Sequence, residues 1–258
     1  MRAVQLGDVV LGEGRAKVIV PLTGATTAEL VEQAASLAPY EVDVVEWRVD
    51  FLDVAPWVDA VLAAGRRLVE VLGGRPLLFT FRTPAEGGAQ PIETDALVAL
   101  YLAVIESGLV DAVDVEWSLD AAAAERVVTA AHAHGVVVVG SSHEFRSTPS
   151  TDAMVARLVA LQERGSDIAK LAVMPLDAGD VLRLLQATWI MTSRHDATPV
   201  LTMAMAGLGV VTRLAAQTFG SCATFAAVGR ASAPGQVPLA ELRPILRLID
   251  AHLQRPAP

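Results

Sequence analysis

The sequence predicts a (β/α)8 barrel with a short N-terminal β-hairpin. Eight short runs rich in β-branched residues recur at a regular spacing, and longer segments with helical periodicity separate them. The 258 residues are a usual length for one barrel of this kind, and 53% of them are hydrophobic, which suffices for one large core. No linker or low-complexity segment interrupts the pattern, so we expect a single domain over residues 1–258.

The elements of the barrel can be placed in order along the chain. Residues 1–16 contain a Gly-Asp turn between two apolar runs and predict the hairpin. The predicted barrel strands are 17–22, 42–48, 76–82, 112–116, 136–143, 167–174, 199–206 and 224–229. The clearest helices between them are expected at 27–37, 94–106, 121–134, 152–164 and 177–191. Residues 231–240 begin with small, turn-prone residues and form either a plain loop or a lid that closes over a ligand.

Composition and charge exclude several classes of protein. The chain has 20 basic and 29 acidic residues, a net charge of −9, which disfavours binding to nucleic acid or to an anionic membrane surface. Two long uncharged stretches, 199–212 and 214–229, are shorter than the roughly 18 residues of a membrane span. The single cysteine, Cys222, excludes an internal disulfide and suits a reducing compartment. We therefore expect a soluble cytoplasmic protein in which any attraction for an anion is local.

Lysine is almost absent from this chain, and one of its two lysines lies in an apolar strand. Of the 20 basic residues, only Lys17 and Lys170 are not arginine. A lysine retained against this bias is a candidate for chemistry that needs an amine, because the guanidinium of arginine neither deprotonates nor forms an imine. Lys17 precedes a strand and is expected to be solvated. Lys170 lies within the sixth predicted strand, where it is either a nucleophile or a side chain that extends to solvent.

Polar side chains gather at the carboxyl ends of the predicted strands, where barrel enzymes place their chemistry. Glu46 and Arg48 end the second strand, and strand alternation puts both on one face with Trp47 on the other. Charged groups inside an apolar barrel are costly unless they are compensated, so this placement favours function over stability. The other residues at such ends are Arg82, Glu116, His143, Lys170 and Met205.

His143 ends the fifth predicted strand, next to the strand of Lys170. Neighbouring strands are about 4.8 Å apart, so the two side chains can share a pocket, and histidine titrates in the range suited to a general base and acid. A lone histidine at a strand end is more often structural, but the neighbouring lysine favours catalysis. Glu86, in the loop after the third strand, either orients His143 or is a solvated acid in an ordinary turn. Arg213 interrupts an apolar stretch and suits a clamp for a carboxylate or a phosphate.

The remaining motifs predict no metal or cofactor site. His132 and His134 lie two positions apart at a helix end and face different ways, which disfavours a zinc pair. The Gly-Leu-Gly of 207–209 follows the seventh strand, but a lone Gly-X-Gly is a weak signal for phosphate binding. Met203 and Met205 alternate inward and form either core or the floor of a pocket.

Six stretches form a pattern that is more specific than any single motif. They are EWRVD (46–50), PLLFTFRTPAEGG (76–88), SGLVDAVDVE (107–116), SSHEF (141–145), DIAKLAVMP (167–175) and the long run 202–243. Together they resemble the type I 3-dehydroquinate dehydratases, in order and along essentially the whole chain. A lysine, a histidine and three arginines stand in the matching places.

This resemblance implies a lyase of the shikimate route to aromatic compounds, usually a homodimer, that uses no metal or cofactor. It implies that Lys170 forms a Schiff base with the ketone of 3-dehydroquinate. His143, oriented by Glu86, would then remove the adjacent proton and protonate the departing hydroxyl, a syn elimination that gives 3-dehydroshikimate. By the same resemblance, Arg213 binds the substrate carboxylate. The remaining substrate contacts that it implies are Glu46, Arg48, Arg82, Ser232 and Gln236, with Met205 expected beside them.

The chain departs from the family pattern at a few positions. Pro21 stands where a serine is common, Glu144 where an aspartate is usual, and Ala204 and Gly207 where serine and lysine are common. None of these touches the lysine–histidine pair, so they are expected to alter affinity more than the reaction. Two alternatives remain open: another imine-forming barrel enzyme such as a class I aldolase, and a non-catalytic barrel that binds similar ligands.

Overall fold

The computed structural model describes residues 3–229 and 232–253, and these contain a hairpin followed by an eight-stranded parallel barrel. The hairpin consists of β1 (Val4–Leu6) and β2 (Val9–Leu11). The barrel strands are β3 (Lys17–Leu22), β4 (Val44–Arg48), β5 (Leu77–Thr80), β6 (Ala112–Glu116), β7 (Val137–Glu144), β8 (Ile168–Val173), β9 (Val200–Ala204) and β10 (Ala223–Ala227).

The sheet is ordered by sequence and closes on itself. Strand β10 pairs with β3, and each strand from β3 to β9 pairs in parallel with the next. The ring closes where Val200 of β9 forms a parallel bridge with Ser221, and the Cys222 amide donates to the Val200 carbonyl at 2.8 Å. The fold class that the sequence predicts, a (β/α)8 barrel with an N-terminal hairpin, is confirmed.

A helix follows each barrel strand, and short polar caps fix where several helices begin. Asp177, for example, accepts the Asp180 amide, so the sixth helix begins at Ala178. The helices are α1 (Thr27–Ser36), α2 (Val58–Leu72), α3 (Thr94–Glu106), α4 (Ala121–Ala133), α5 (Thr151–Glu163), α6 (Ala178–Arg194), α7 (Val210–Ala215) and α8 (Leu239–Leu253). Among the described residues, none of these helices is both long and apolar enough to cross a membrane.

Alternation along each strand separates two apolar layers and leaves one polar end. On β4, Val45 and Trp47 pack outward in the layer between sheet and helices. Val44 points inward, where it joins an interior cluster at the lower end of the barrel. Glu46 and Arg48 are the next two inward positions toward the carboxyl end of the strand, and both line a cavity there.

The hairpin covers the lower end of the barrel. Gly7 and Asp8 form its turn, and Gly7 has a φ of 54°, which glycine adopts without strain. Leu6 and Leu11 are buried against the interior cluster that contains Ile19. Apolar side chains therefore fill this end, and the polar end of the interior is the opposite one.

The observed elements differ from the predicted ones mainly at their ends. The seventh predicted strand, 199–206, ends at Ala204, because the chain turns away at Ala206, whose φ is 55°. The helix predicted to end at 191 continues to Arg194. The predicted loop 231–240 is only partly a loop. Its first residue, Ala231, lies outside the described residues. Residues Val237–Pro238 form a short strand, β11, beside β10, and Leu239 begins α8.

Candidate active site

The predicted site residues line one cleft at the carboxyl ends of the strands. Strands β4, β7, β8 and β9 and the loops after β5 and β10 contribute to it. Apolar side chains form part of its wall, among them Phe145, Met203 and Phe225. The sequence-predicted residues in the cleft are Glu46, Arg48, Arg82, Glu86, His143, Lys170, Met205, Arg213, Ser232 and Gln236.

Lys170 lies on β8 with its amine inside the barrel. Its side chain is 3% exposed, which excludes the alternative of a lysine that extends to solvent. The Nζ atom donates to Asp114 Oδ2 at 2.9 Å and lies 3.8 Å from Glu46 Oε1. It also lies 4.9 Å from the centre of the Phe225 ring. The amine is therefore held at a fixed point in the cleft, next to a carboxylate.

Asp114 links this amine to a buried arginine. Arg82 Nη2 lies 2.8 Å from Asp114 Oδ1, and Ser141 Oγ donates to the same oxygen at 2.5 Å. Burial alone would raise the pKa of Asp114, but the charges of Arg82 and Lys170 outweigh it and hold this pKa at about 2. Asp114 is thus a carboxylate at neutral pH, and it carries the counter-charge for two cations.

Arg82 is neutralised within the protein. Its Nη1 atom lies 2.9 Å from Glu116 Oε1, donates to Ser141 Oγ at 2.9 Å and lies 3.6 Å from Glu86. Burial opposes its charge, but the surrounding carboxylates, Asp114 first, raise its pKa further above the ordinary value. Glu116, a predicted strand-end residue, supports Arg82 in this way and also accepts the Thr83 amide and hydroxyl.

His143 and Glu86 form a hydrogen-bonded pair at the mouth of β7. The distance from His143 Nδ1 to Glu86 Oε2 is 2.8 Å. Burial lowers the pKa of His143 well below its ordinary value, and the charges of Arg82, Lys170 and Arg48 lower it further. Burial also raises the pKa of Glu86, to about 7. The imidazole is therefore neutral at physiological pH, and when Glu86 is ionised it accepts the Nδ1 proton and leaves Nε2 as the basic nitrogen.

Arg213 differs from the other arginines of the cleft because no carboxylate pairs with it among the described residues. It is 2% exposed, its Nη2 donates to the Pro234 carbonyl at 3.3 Å, and its Nη1 lies 3.8 Å from the Met203 sulfur. Its Nε has no partner, and burial lowers its pKa to about 10. A buried guanidinium with free donors and no counter-charge suits an anionic group of a ligand.

The residues after β10 form a small closed turn over this guanidinium. Gln236 Nε2 donates to Ser232 Oγ at 3.0 Å, and the Ser232 amide donates to Gln236 Oε1 at 2.9 Å. Pro234 joins the turn to the rest of the site, because its carbonyl accepts from both Arg213 and the Ala206 amide. Both predicted lid residues therefore lie at the cleft in a defined geometry.

Three buried polar residues of the site were not identified from the sequence. Asp114 alternates with Glu116 on β6, and Ser141 with His143 on β7, so the periodicity that placed Glu46 and Arg48 inward also applies to them. Asp50, the third, pairs with Arg48 through two hydrogen bonds of 2.8 and 2.7 Å.

The positions that depart from the family pattern lie around the central pair. Pro21 lies beside Glu46 in the register of β3 and β4. Glu144 lies 4.0 Å from Arg157 at the edge of the site. Ala204 is buried in an apolar cluster, and Gly207 has open space beside it. None of the four contacts the Lys170 amine.

Comparisons with known proteins agree on one family. The family model described as Type I 3-dehydroquinase matches residues 18–252. The 3-dehydroquinate dehydratase of Bacillus licheniformis is 43% identical over 98% of this chain and 99% of that protein. That of Salmonella agona is 43% identical over 96% of this chain and 99% of its own length.

Solved structures give the same result. The type I 3-dehydroquinate dehydratase of Clostridium difficile, solved with covalently modified comenic acid, superposes with a TM-score of 0.95. It is 39% identical and covers 97% of this chain and 99% of its own. The 3-dehydroquinate dehydratase of Geobacillus kaustophilus gives a TM-score of 0.93 at 35% identity and covers 98% of each chain.

Proposed function

We propose, from the premise that the chain belongs to the type I 3-dehydroquinase family, that it is a 3-dehydroquinate dehydratase acting through an imine on Lys170. It is a hydro-lyase in this proposal, and it removes water from 3-dehydroquinate to give 3-dehydroshikimate. One observation carries the mechanism. A buried amine, a neutral histidine paired with a carboxylate and an arginine with no counter-charge share one cleft.

The amine of Lys170 performs the first step. The ammonium group first gives one proton to the neutral ring of His143, and the free amine then adds to the ketone carbon of the substrate. The same proton returns to the carbinolamine hydroxyl, which leaves as water and gives the protonated imine. The carbon next to the imine becomes acidic, because the iminium nitrogen accepts the electron pair released when the proton leaves. Asp114, 2.9 Å from Nζ in the free protein, remains beside this nitrogen as its counter-charge.

His143 moves the proton of the elimination. Its depressed pKa keeps the ring neutral, so Nε2 takes the proton from the activated carbon while Nδ1 stays bonded to Glu86. The imidazolium then protonates the hydroxyl that departs from the neighbouring carbon, and water leaves on the same face. Hydrolysis of the imine consumes the water released in its formation, so the net reaction releases one water.

The remaining side chains of the cleft bind and orient the ring. Arg213 binds the substrate carboxylate, because it has free donors and no counter-charge of its own. Glu46, Arg48 and Arg82 contact the ring hydroxyls. Met205, Ser232 and Gln236 line the same cleft and complete the enclosure, with the turn at 232–236 acting as a lid.

The wider setting of the enzyme is also part of the proposal. We propose a single domain over residues 1–258, a homodimer in solution, a cytoplasmic location and a place in the shikimate route, as the family resemblance implies. The proposed chemistry uses side chains alone, so it needs no metal or cofactor. Within the described residues, no cluster of three metal-binding side chains is present.

Trapping the imine tests this proposal directly. The protein is mixed with 3-dehydroquinate and borohydride, its intact mass is measured, and a digest locates the modified residue. We expect one adduct per chain on Lys170, retained in Lys17→Arg and lost in Lys170→Arg. Because Lys17 is the chain's other lysine, it is a matched control for surface modification. A control enzyme of known activity is treated in parallel. If the folded wild-type protein forms no adduct while the control does, the proposal is contradicted. Turnover of an aldol substrate would then indicate a class I aldolase.

A further inference from the structure

Asp50 holds a central place in the site although its carboxylate does not line the cleft. It follows β4 in a short 3₁₀ turn, Val49–Phe51, and it is 1% exposed. Four donors surround its two oxygens. Oδ1 accepts from Arg48 Nε at 2.8 Å and from the Arg82 amide at 3.3 Å. Oδ2 accepts from Arg48 Nη2 at 2.7 Å and from the Ala89 amide at 3.0 Å.

The two contacts from Arg48 fix the plane of its guanidinium, which faces the cleft. A carboxylate that accepts from Nε and Nη2 of one arginine holds it in a fork geometry, which allows little rotation. The ring of Phe51 lies against the same guanidinium, 4.9 Å from its Cζ. Arg48 therefore presents its remaining donors to the cleft in one orientation.

The other two contacts hold the base of the loop that carries Glu86. Arg82 and Ala89 are the residues at which this loop leaves and rejoins the barrel wall, and both donate their amides to Asp50. Gln90 adds a second anchor, because its side chain donates to the Asp50 and Leu52 carbonyls at 2.9 and 3.0 Å. The loop is tightly folded between these points, with the Gly88 amide donating to the Thr83 carbonyl at 2.8 Å.

The conformation of this loop decides where the Glu86 carboxylate lies. Glu86 sits in the 3₁₀ turn Pro84–Glu86, is 4% exposed, and bonds His143 Nδ1 at 2.8 Å. The Ser118 amide donates to the other oxygen, Oε1, at 3.1 Å, and a fixed backbone keeps the carboxylate within reach of both partners. The two amides bound by Asp50 fix that backbone.

We propose that Asp50 is a positioning residue that sets both Arg48 for substrate binding and, through the loop 82–90, Glu86 for the orientation of His143. It touches neither the substrate nor the reacting atoms. The inference rests on the proposed dehydration, since that reaction gives Arg48 and His143 their roles. In addition to the proposed function, Asp50 links substrate binding by Arg48 to proton transfer by His143, because it positions both Arg48 and the loop of Glu86.

Asp43 provides a matched control at the opposite end of the same strand. It precedes β4, as Asp50 follows it, and it too accepts from an arginine and from a backbone amide. Arg243 Nη2 lies 2.8 Å from its carboxylate, and the Val18 amide donates to it at 2.6 Å. Asp43 has no contact with the cleft residues, so its loss reports the cost of a structural ion pair alone.

The kinetic test compares Asp50→Asn with Asp43→Asn. An amide in place of the carboxylate keeps the shape but replaces one acceptor oxygen by an NH2 donor. Because each oxygen of Asp50 accepts from Arg48 and from one loop amide, one bond to Arg48 and one bond to the loop are lost together. We expect kcat/KM to fall about tenfold to a hundredfold in Asp50→Asn, with a lower kcat and a higher KM, because small displacements of reacting groups have effects of this size. Asp43→Asn is expected to stay within twofold of wild type. Equal kinetics of the two folded variants would overturn the proposal.

A double-mutant comparison identifies the route of the effect. If Asp50 acts on proton transfer through Glu86, the fall in kcat caused by Asp50→Asn largely disappears in a Glu86→Gln background. If the double variant instead lowers kcat by the product of the two single-variant factors, Asp50 does not act through Glu86. Gln90→Ala serves if Asp50→Asn does not fold, because it frees only the loop. We expect it to lower kcat at least threefold with KM unchanged, and an unchanged kcat would count against the proposal.

A measurement without turnover separates this inference from the proposed function. The ring of His143 is observed by nitrogen NMR at pH 8, and its signal is assigned by its loss in His143→Asn. We expect a protected Nδ1 proton in the wild type and in Asp43→Asn, and rapid exchange of this proton in Asp50→Asn and Gln90→Ala. An inactive wild type would refute the proposed reaction, whereas a signal unchanged in Asp50→Asn would refute the positioning role.

Discussion

Replacing Arg213 by methionine is expected to increase the stability of the free protein while weakening substrate binding. The guanidinium is 2% exposed, has no carboxylate partner among the described residues and leaves Nε without an acceptor. Burial lowers its pKa to about 10. Arg213→Met removes this charge with little change in volume, and the new side chain lies beside Met203.

The size of the stability effect follows from the depressed pKa. This pKa lies well below the ordinary value of arginine, and one pKa unit corresponds to about 1.4 kcal/mol, so burial costs the charged form about 3 kcal/mol. The lost hydrogen bond to the Pro234 carbonyl offsets about 1 kcal/mol of the gain. We expect a net gain of about 1 to 2 kcal/mol, which raises Tm by several degrees in a domain of this size.

The binding effect has the opposite sign. In the variant, a substrate carboxylate enters a buried position without its cation, which typically costs about 2 to 5 kcal/mol. KM should therefore rise by at least about thirtyfold with a smaller change in kcat. Arg243→Met is the control, since this buried arginine already pairs with Asp43 at 2.8 Å, and its loss should lower Tm and leave KM unchanged. A lower Tm together with an unchanged KM in Arg213→Met would refute the reasoning.

Three further predictions concern the catalytic pair and its support. Asp114→Asn leaves Lys170 and Arg82 without their shared counter-charge. We therefore expect the free energy of unfolding to fall by about 3 kcal/mol in a denaturant melt, and the imine to be trapped more slowly by borohydride. Unchanged values of both quantities would contradict the role given to Asp114. His143→Ala is expected to form the adduct but to turn over about 10² to 10⁴ times more slowly, which mass analysis and a rate assay distinguish. Because the pKa of Glu86 is raised to about 7, the folded state binds its proton more tightly than the unfolded chain. The contribution of Glu86 to the free energy of unfolding is complete at low pH and is lost as the pH rises through about 7. We expect the free energy of unfolding, measured in denaturant melts between pH 5 and 8, to fall less steeply in Glu86→Gln than in the wild type.

The barrel could be predicted from the sequence because each strand carries its own signal. Short apolar runs bounded by polar residues identify β3 to β10, and alternation along β4 separates the inward Glu46 and Arg48 from the outward Trp47. Strand ends were less accurate, because they depend on local backbone conformations. The turn at Ala206, with its positive φ, has no signal in the residue type.

The pairing of charges could not be predicted in the same way. The sequence distinguishes Arg213 as a candidate anion clamp, because it interrupts an apolar stretch, but it does not show how Arg48 and Arg82 are neutralised. Whether an arginine has an ion-pair partner depends on contacts between separate strands. Arg82 pairs with Asp114, which is 32 positions away on a neighbouring strand. Among the described residues, no acid pairs with Arg213. The sequence therefore identified the residues that meet in the cleft and the arginine that suits an anion, but not the acids that neutralise the other cations.

This distribution of charge explains how a protein with a net charge of −9 can bind an anion. Its long-range field repels a negative substrate, so binding depends on short-range contacts in a buried place, where charge interactions are strong. Asp50 and Asp114 satisfy the cations Arg48 and Lys170 within the protein, whereas Arg213, under the turn at 232–236, pairs with no acid in the described part of the chain. We therefore expect the carboxylate of a ligand to bind this arginine and not the lysine. In the proposed reaction this leaves the ketone as the group that meets the nucleophile, so the same arrangement that binds the substrate also sets its orientation.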